Sequence, residues 1–122
     1  MTANSLQAVL LTANLDRLVS FYSGLLDAEQ YDRVPEAGDA FFVGLRVGDS
    51  KLGIAVDPNA VSAGNAQRIL LSVEVQDVEA MLERVSAAGG TVTGGPNDMP
   101  WGQRVVHLAD PDGNTVNLTQ QL

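Results

Sequence analysis

The chain of 122 residues holds one imidazole, His107, and no cysteine. Imidazole is the side chain best suited to give or take a proton near neutral pH. His107 is therefore a candidate general base or hydrogen-bond partner for a ligand; the competing reading is a satisfied strand histidine. Arg68 offers a planar guanidinium, which suits a carboxylate bidentately. A ligand acid or an acidic protein side chain would serve it equally. Trp101, the only Trp, stands between Pro100 and Gly102. Its ring either stacks on a ligand or plugs the core beneath its loop. Without cysteine there is no thiolate chemistry and no disulfide framework. No serine lies in a Gly-x-Ser-x-Gly context, and no glycine-rich phosphate loop precedes a helix. Asp110 and Asp112 tempt as metal ligands, but Asp110-Pro111-Asp112-Gly113-Asn114 reads as a tight turn.

That turn joins two extended runs, Gln103 to Ala109 and Thr115 to Gln120, into a hairpin. Val106, Leu108, Val116 and Leu118 fall on one face. Val105, His107, Thr115, Asn117 and Thr119 fall on the other, so one face is apolar and the second can meet a ligand. Earlier in the chain, Leu6 to Thr12 reads as a strand. Asn14 is placed to cap a helix over 15–26, whose Leu15, Leu18, Phe21, Tyr22, Leu25 and Leu26 recur at helical spacing. Gln30 to Arg33 reads as a short strand and Pro35 to Gly38 as a turn. Phe41 to Val47 and Leu52 to Val56 alternate as strands around Gly48-Asp49-Ser50.

The pattern then restarts. Residues 58–67 are small and turn-forming and read as a linker. Arg68 to Val75 is a strand. Val78, Met81, Leu82, Val85 and Ala88 mark a second amphipathic helix, with Gly89 as its stop. Thr91 to Thr93 is a short strand, and Gly94 to Pro100 a loop before the hairpin. Sliding the chain by about 60 residues lays LLTANLDRLVSFY over LSVEVQDVEAMLE with matching apolar phase, an internal repeat. The organisation expected is one domain over 1–122, with a first module at 5–57 and a second at 68–120.

Composition narrows the partners. A net charge of −8 argues against nucleic acid, which needs a basic patch. That field favours a cationic ligand, or simply aids solubility. No stretch approaches the ~20 apolar residues of a membrane span, and no leader-like segment opens the chain. A cytoplasmic protein with no membrane partner is the expectation.

Three segments resemble the vicinal oxygen chelate superfamily, which includes glyoxalase I, bleomycin-resistance proteins and extradiol dioxygenases. They are Asn14-Leu15-Asp16-Arg17 with Phe21-Tyr22, the strand Ile69 to Glu74, and Pro100-Trp101-Gly102 through Asp110-Pro111-Asp112-Gly113-Asn114. The last is the most specific. The resemblance implies an α+β fold of two tandem βαβββ modules whose curved sheets form a cup, in a homodimer. Metal-using members place four ligands on cup-facing strands, and those positions fall here on Gln7, Ala55, Arg68 and Asn117. Ala55 has no donor atom. Arg68 is a fixed cation without a lone pair, and Asn117 is neutral where a carboxylate is expected. The inherited metal site is therefore expected to be lost, with no cofactor in its place.

Alternation leaves Gln7, Val9 and Leu11, Phe42, Gly44 and Arg46, Gly53 and Ala55, and Arg68, Leu70 and Ser72 for the concave side. Phe42 lines the cup or fills it. The expectation is metal-independent binding of a small organic molecule by Gln7, Phe42, Arg46, Arg68, Trp101, His107 and Asn117. The analogy is with drug sequestration of the bleomycin-resistance type, though Arg68 disfavours a strongly cationic drug. The alternative is a glyoxalase-family lyase, isomerase or dioxygenase, using either a rearranged metal set or His107 as base.

Overall fold

A computed structural model describes residues 7–58, 60 and 70–122. It divides into two compact units, Met1–Ala60 and Val61–Leu122. The first runs β1 (Ala8–Thr12), α1 (Leu15–Leu26), β2 (Glu29–Val34), β3 (Phe42–Val47) and β4 (Ser50–Val56). The second runs β5 (Leu71–Glu74), a 3-10 turn (Glu79–Met81), α2 (Leu82–Ala87), β6 (Thr91–Asp98), β7 (Gln103–Ala109) and β8 (Thr115–Gln121). Each unit is thus the βαβββ module expected. Each sheet has four strands, ordered β1-β4-β3-β2 and β5-β8-β7-β6. In both, the strand before the helix lies parallel to the last strand, and the remaining pairs are antiparallel.

Helix α1 begins where its cap allows. The Asn14 side-chain oxygen accepts the Arg17 backbone N–H at 3.1 Å, satisfying one donor that the first turn leaves open. It ends at Asp27, whose φ of 52° is left-handed, a conformation Asp tolerates better than most residues. Leu18, Phe21, Tyr22 and Leu25 are fully buried, and the helix packs on β3 and β4. There it meets the phase that carries Val43, Leu45, Leu52 and Ile54, all buried. Phe21 and Tyr22 make an edge-to-face pair at 4.9 Å, so both aromatics are core residues. In the second unit Val78 and Val85 are buried with Val106, Leu108, Val116 and Leu118. Asp77 accepts the Glu79 and Ala80 N–H groups at 3.1 and 3.3 Å and so starts the 3-10 turn.

Several expectations are corrected. The second helix is short, a 3-10 turn followed by six α-helical residues. Strands β1 and β5 are shorter than the apolar runs predict; Leu6, Arg68 and Ile69 lie outside the described residues. The supposed loop from Gly94 belongs to β6, which runs on to Asp98. Two register shifts against β7, at Val92/Gly94 and Gly94/Asn97, hide it from a period-2 reading. Gly95 explains one of them. Its φ is +84°, and a Cβ there would stand 2.5 Å from the Val105 carbonyl oxygen, so the chain crosses close to β7 where no side chain fits.

Candidate functional site

Each sheet has a helix-covered side and a helix-free side, and Gln7, Arg46, His107 and Asn117 fall on the helix-free side. In the second unit the register sets Asn117 opposite both His107 on β7 and Ser72 on β5. The imidazole and the amide meet there, with Nδ1 of His107 2.6 Å from Oδ1 of Asn117. An amide oxygen only accepts, so the imidazole donates from Nδ1. The neutral ring then keeps its lone pair on Nε2. The geometry equips His107 to accept a hydrogen bond, or a proton, from a ligand hydroxyl or N–H. On the flanking strand Gly94 lies beside the ring, where an added Cβ would stand in ordinary contact, 3.5 Å from Cδ2 of His107. One row further along, Val105 and Thr119 pair across the strands and are buried, although they share the strand phase of His107 and Asn117. Gln121 donates to the Glu74 carboxylate at 3.0 Å.

Trp101 is 68% exposed. Its indole N–H donates to the Gln103 side-chain oxygen at 2.9 Å, so the ring stands on the surface at the start of β7 rather than in the core. Asp110 does what a turn residue does. Its carboxylate accepts the backbone N–H groups of Asp112 and Asn114 at 2.9 and 2.8 Å, and the Asn114 amide at 3.0 Å.

The helix-free side of the first unit has different chemistry. Gly44 and Gly53 face each other across β3 and β4, and two rings cover them. A Cβ on Gly44 would lie 2.6 Å from Cζ of Tyr31, and one on Gly53 would lie 2.9 Å from Cε2 of Phe42. The paired glycines therefore make the bed on which both aromatics lie. Gln7 donates its amide to the Tyr31 hydroxyl at 3.0 Å. Arg46 and Lys51, opposite each other in register, stand 5.6 and 4.9 Å from the Tyr31 ring centre, within cation–π reach. Next to Phe42 lie Ala55, its register partner on β4, and Leu11 beyond; Val9 and Leu11 are both exposed.

Of the seven residues expected to bind a ligand, the structure groups Gln7, Phe42 and Arg46 on one sheet and His107 and Asn117 on the other, with Trp101 at the start of β7. Arg68 lies outside the described residues. Tyr31 and Lys51 were missed. Tyr31 sits at the bulge between Gln30 and Asp32, where alternation loses its phase. The signal that could have found it is the glycine pair, whose missing side chains leave a hollow that a large neighbour must fill. Two shallow recesses, of about 300 Å³ at Asn14, Arg33 and Asp39 and about 430 Å³ at Glu79, Asn97 and Arg104, are lined by none of these residues.

The family's metal positions can be tested against these residues. Ala55 supplies no donor atom, and the Asn117 oxygen is engaged by the His107 ring. Among the described residues no group of three His, Asp or Glu side chains is placed to hold a metal ion.

Two βαβββ modules of matching strand order define the architecture. The model of the Glyoxalase/Bleomycin resistance protein/Dioxygenase superfamily matches residues 5–118, and the chain belongs to that superfamily. CFP32 of Mycobacterium bovis, provisionally named a glyoxylase, is 30% identical over 104 residues, covering 85% of this chain and 39% of that protein. The chain thus spans about two fifths of that relative's length. TioX from Micromonospora sp. ML1 superposes with a TM-score of 0.79 at 25% identity, over 98% of this chain and 100% of that one. A bleomycin resistance determinant encoded on transposon Tn5 superposes with a TM-score of 0.72 at 21% identity, over 98% of each chain. The last likeness is one of fold alone.

Proposed function

We propose that this protein binds a small organic molecule on its helix-free sheet faces without a resident metal, as a homodimer of the drug-sequestering kind. One observation carries the reading. The residue standing where metal-using relatives place a carboxylate is Asn117, and its oxygen is committed to the His107 ring at 2.6 Å. An amide oxygen is a weak ligand for a divalent cation compared with a carboxylate, and binding a metal there would break a hydrogen bond already made. The aromatic floor of the first unit supports the same reading, since small-molecule sites are mostly apolar with a few placed polar groups.

The test is metal analysis of protein purified without chelator, paired with thermal-shift screening of antibiotics and small metabolites with and without EDTA. A ligand that binds the native state raises the melting temperature. The reading predicts substoichiometric metal and ligand-induced shifts that EDTA leaves unchanged. Stoichiometric zinc, nickel, iron or manganese, with binding lost on chelation, would overturn it.

A second reading has its own support. The Nδ1–H bond to Asn117 leaves Nε2 of His107 as a proton acceptor, so the pair could serve a metal-free lyase or isomerase. The mycobacterial relative's name points the same way. If His107→Ala abolishes turnover of a substrate while its binding persists, the enzyme reading replaces pure sequestration.

A further inference from the structure

We infer that the first unit selects an organic anion, holding its oxyanion group between Arg46 and Lys51 and its apolar body over Phe42, Val9 and Leu11. This rests on the reading above that the helix-free faces bind small molecules, and it specifies the ligand class for one of them.

Most of the described arginines have their charge satisfied by protein partners. Arg104 bonds the Asp98 carboxylate, and Arg33 donates to the Pro35 and Gly38 carbonyls at 2.7 and 2.6 Å. Arg17 and Arg84 also have partners. Arg46 and Lys51 differ. Neither makes an ion pair or a hydrogen bond with another described residue, and what each meets is the ring of Tyr31. Glu29 is the register partner of Arg46, yet its carboxylate forms no ion pair with the guanidinium. Like charges directly opposite each other on a sheet repel. Two cations so placed, in a chain of net charge −8, make a local positive spot that a ligand oxyanion would neutralise.

The chain's overall negative charge does not cancel this. Exposed charges separated by more than about 8 Å are largely screened at physiological ionic strength, so the adjacent pair governs a group that lands between them. Geometry adds the rest of the specificity. The Tyr31 ring is bedded on Gly44 and tethered by Gln7, so the cations rest against a fixed platform. The next rows of the same face are aromatic and aliphatic: Gly53 carries the Phe42 ring, with Val9 beside it. An acid with a planar or aliphatic body matches that sequence of rows; a polycationic drug does not.

The test uses benzoate, phenylphosphonate and neutral benzamide as probes of the full chain by NMR titration. Side-chain and backbone resonances of Tyr31, Phe42, Arg46 and Lys51 report the site. The two anions should perturb these residues, with benzamide binding more weakly and with the anion affinities falling as salt is raised. Arg46→Gln and Lys51→Gln should each weaken anion binding about fivefold or more, while Arg104→Gln, in the other unit, leaves it unchanged. Benzamide binding at the same residues as tightly as benzoate, indifferent to both charge substitutions, would overturn anion selection and leave small-molecule binding standing. No perturbation by either anion at about 10 mM, where even millimolar sites fill, would also overturn it. Preference for phenylphosphonate over benzoate, or the reverse, assigns the oxyanion type within the proposal.

Discussion

The two units share a helix-covered side and differ on the other. On the covered side Val43, Leu45, Leu52 and Ile54 in one answer Val106, Leu108, Val116 and Leu118 in the other, all buried. On the helix-free side the registers bring equivalent rows into view: Leu11, Ala55 and Phe42 in the first unit, Ser72, Asn117 and His107 in the second. One row is apolar and the other is polar, with its imidazole and amide hydrogen-bonded. The next row replaces Gly44 and Gly53 with Ala109 and Thr115. Beyond it the first unit continues to Arg46 and Lys51, whereas the second has already turned at Asp110. Burial against a helix admits one chemistry, so that side stays alike. The open side is free of that constraint, and it carries a cationic aromatic platform in one unit and a histidine–amide pair in the other.

If the covered sides are equivalent, truncating one fully buried leucine in each unit should do similar damage. Leu18→Ala and Leu118→Ala each remove a side chain with no exposed surface. Each is expected to cost about 2–5 kcal/mol, the transfer loss plus the cavity, as measured by chemical denaturation. A near-zero cost at one site alone would break the equivalence of the two cores.

The polar row gives the next largest effect. Asn117→Leu leaves the Nδ1–H of His107 without its acceptor, an expected loss of about 1–2 kcal/mol for a half-buried donor. The sharper readout is the imidazole itself. Nitrogen-15 NMR of the ring should show Nδ1–H in the parent protein and a shift toward Nε2–H in the variant. An unchanged tautomer would mean that Asn117 does not orient the ring.

The fold, and part of the candidate site, could be read from the chain because period 2 and period 3.6 were both intact where they mattered. Asn14 capping and apolar spacing located α1, and alternation placed Gln7, Phe42, His107 and Asn117 on the phase that the structure shows to be helix-free. It failed where the backbone departs from period. The bulge at Tyr31 removed the phase of β2, and Gly94-Gly95-Pro96 disguised the middle of β6 as a loop. Val105 and Thr119 show a different limit: alternation gives the direction of a side chain but not what covers it. No sequence signal places Trp101 on the surface, since Pro-Trp-Gly suits an exposed ring and a buried one equally.

Gly44→Ala separates platform from fold in the first unit. The added methyl must displace the far end of the Tyr31 side chain, which can swing aside only by giving up its Gln7 hydrogen bond, while alanine is otherwise the better strand residue. Stability should therefore change by less than about 1 kcal/mol. The Gln7–Tyr31 hydrogen bond and the ring's contact with Arg46 and Lys51 should be lost, seen as changed Tyr31 ring shifts. Unchanged ring shifts would show that the ring does not rest on the glycine. In the second unit the corresponding row holds Ala109 opposite Thr115.

The smallest effect concerns how each unit treats its cations. In the second, the hydrogen bonds from Arg104, at 2.7 and 3.2 Å, hold the Asp98 carboxyl below the usual carboxylate range. A carboxylate depressed by folding stabilises the native state above its unfolded pKa, and that contribution fades as pH falls through the lower folded value. Asp98→Asn should therefore lower stability slightly at neutral pH, by the little that an exposed pair contributes. The difference from the parent should vanish below the usual carboxylate range. In the first unit Arg46 and Lys51 have no carboxylate partner among the described residues, so Lys51→Gln should leave the acid limb of the stability curve unchanged. An acid limb altered by Lys51→Gln and untouched by Asp98→Asn would reverse the assignment of paired and unpaired charge.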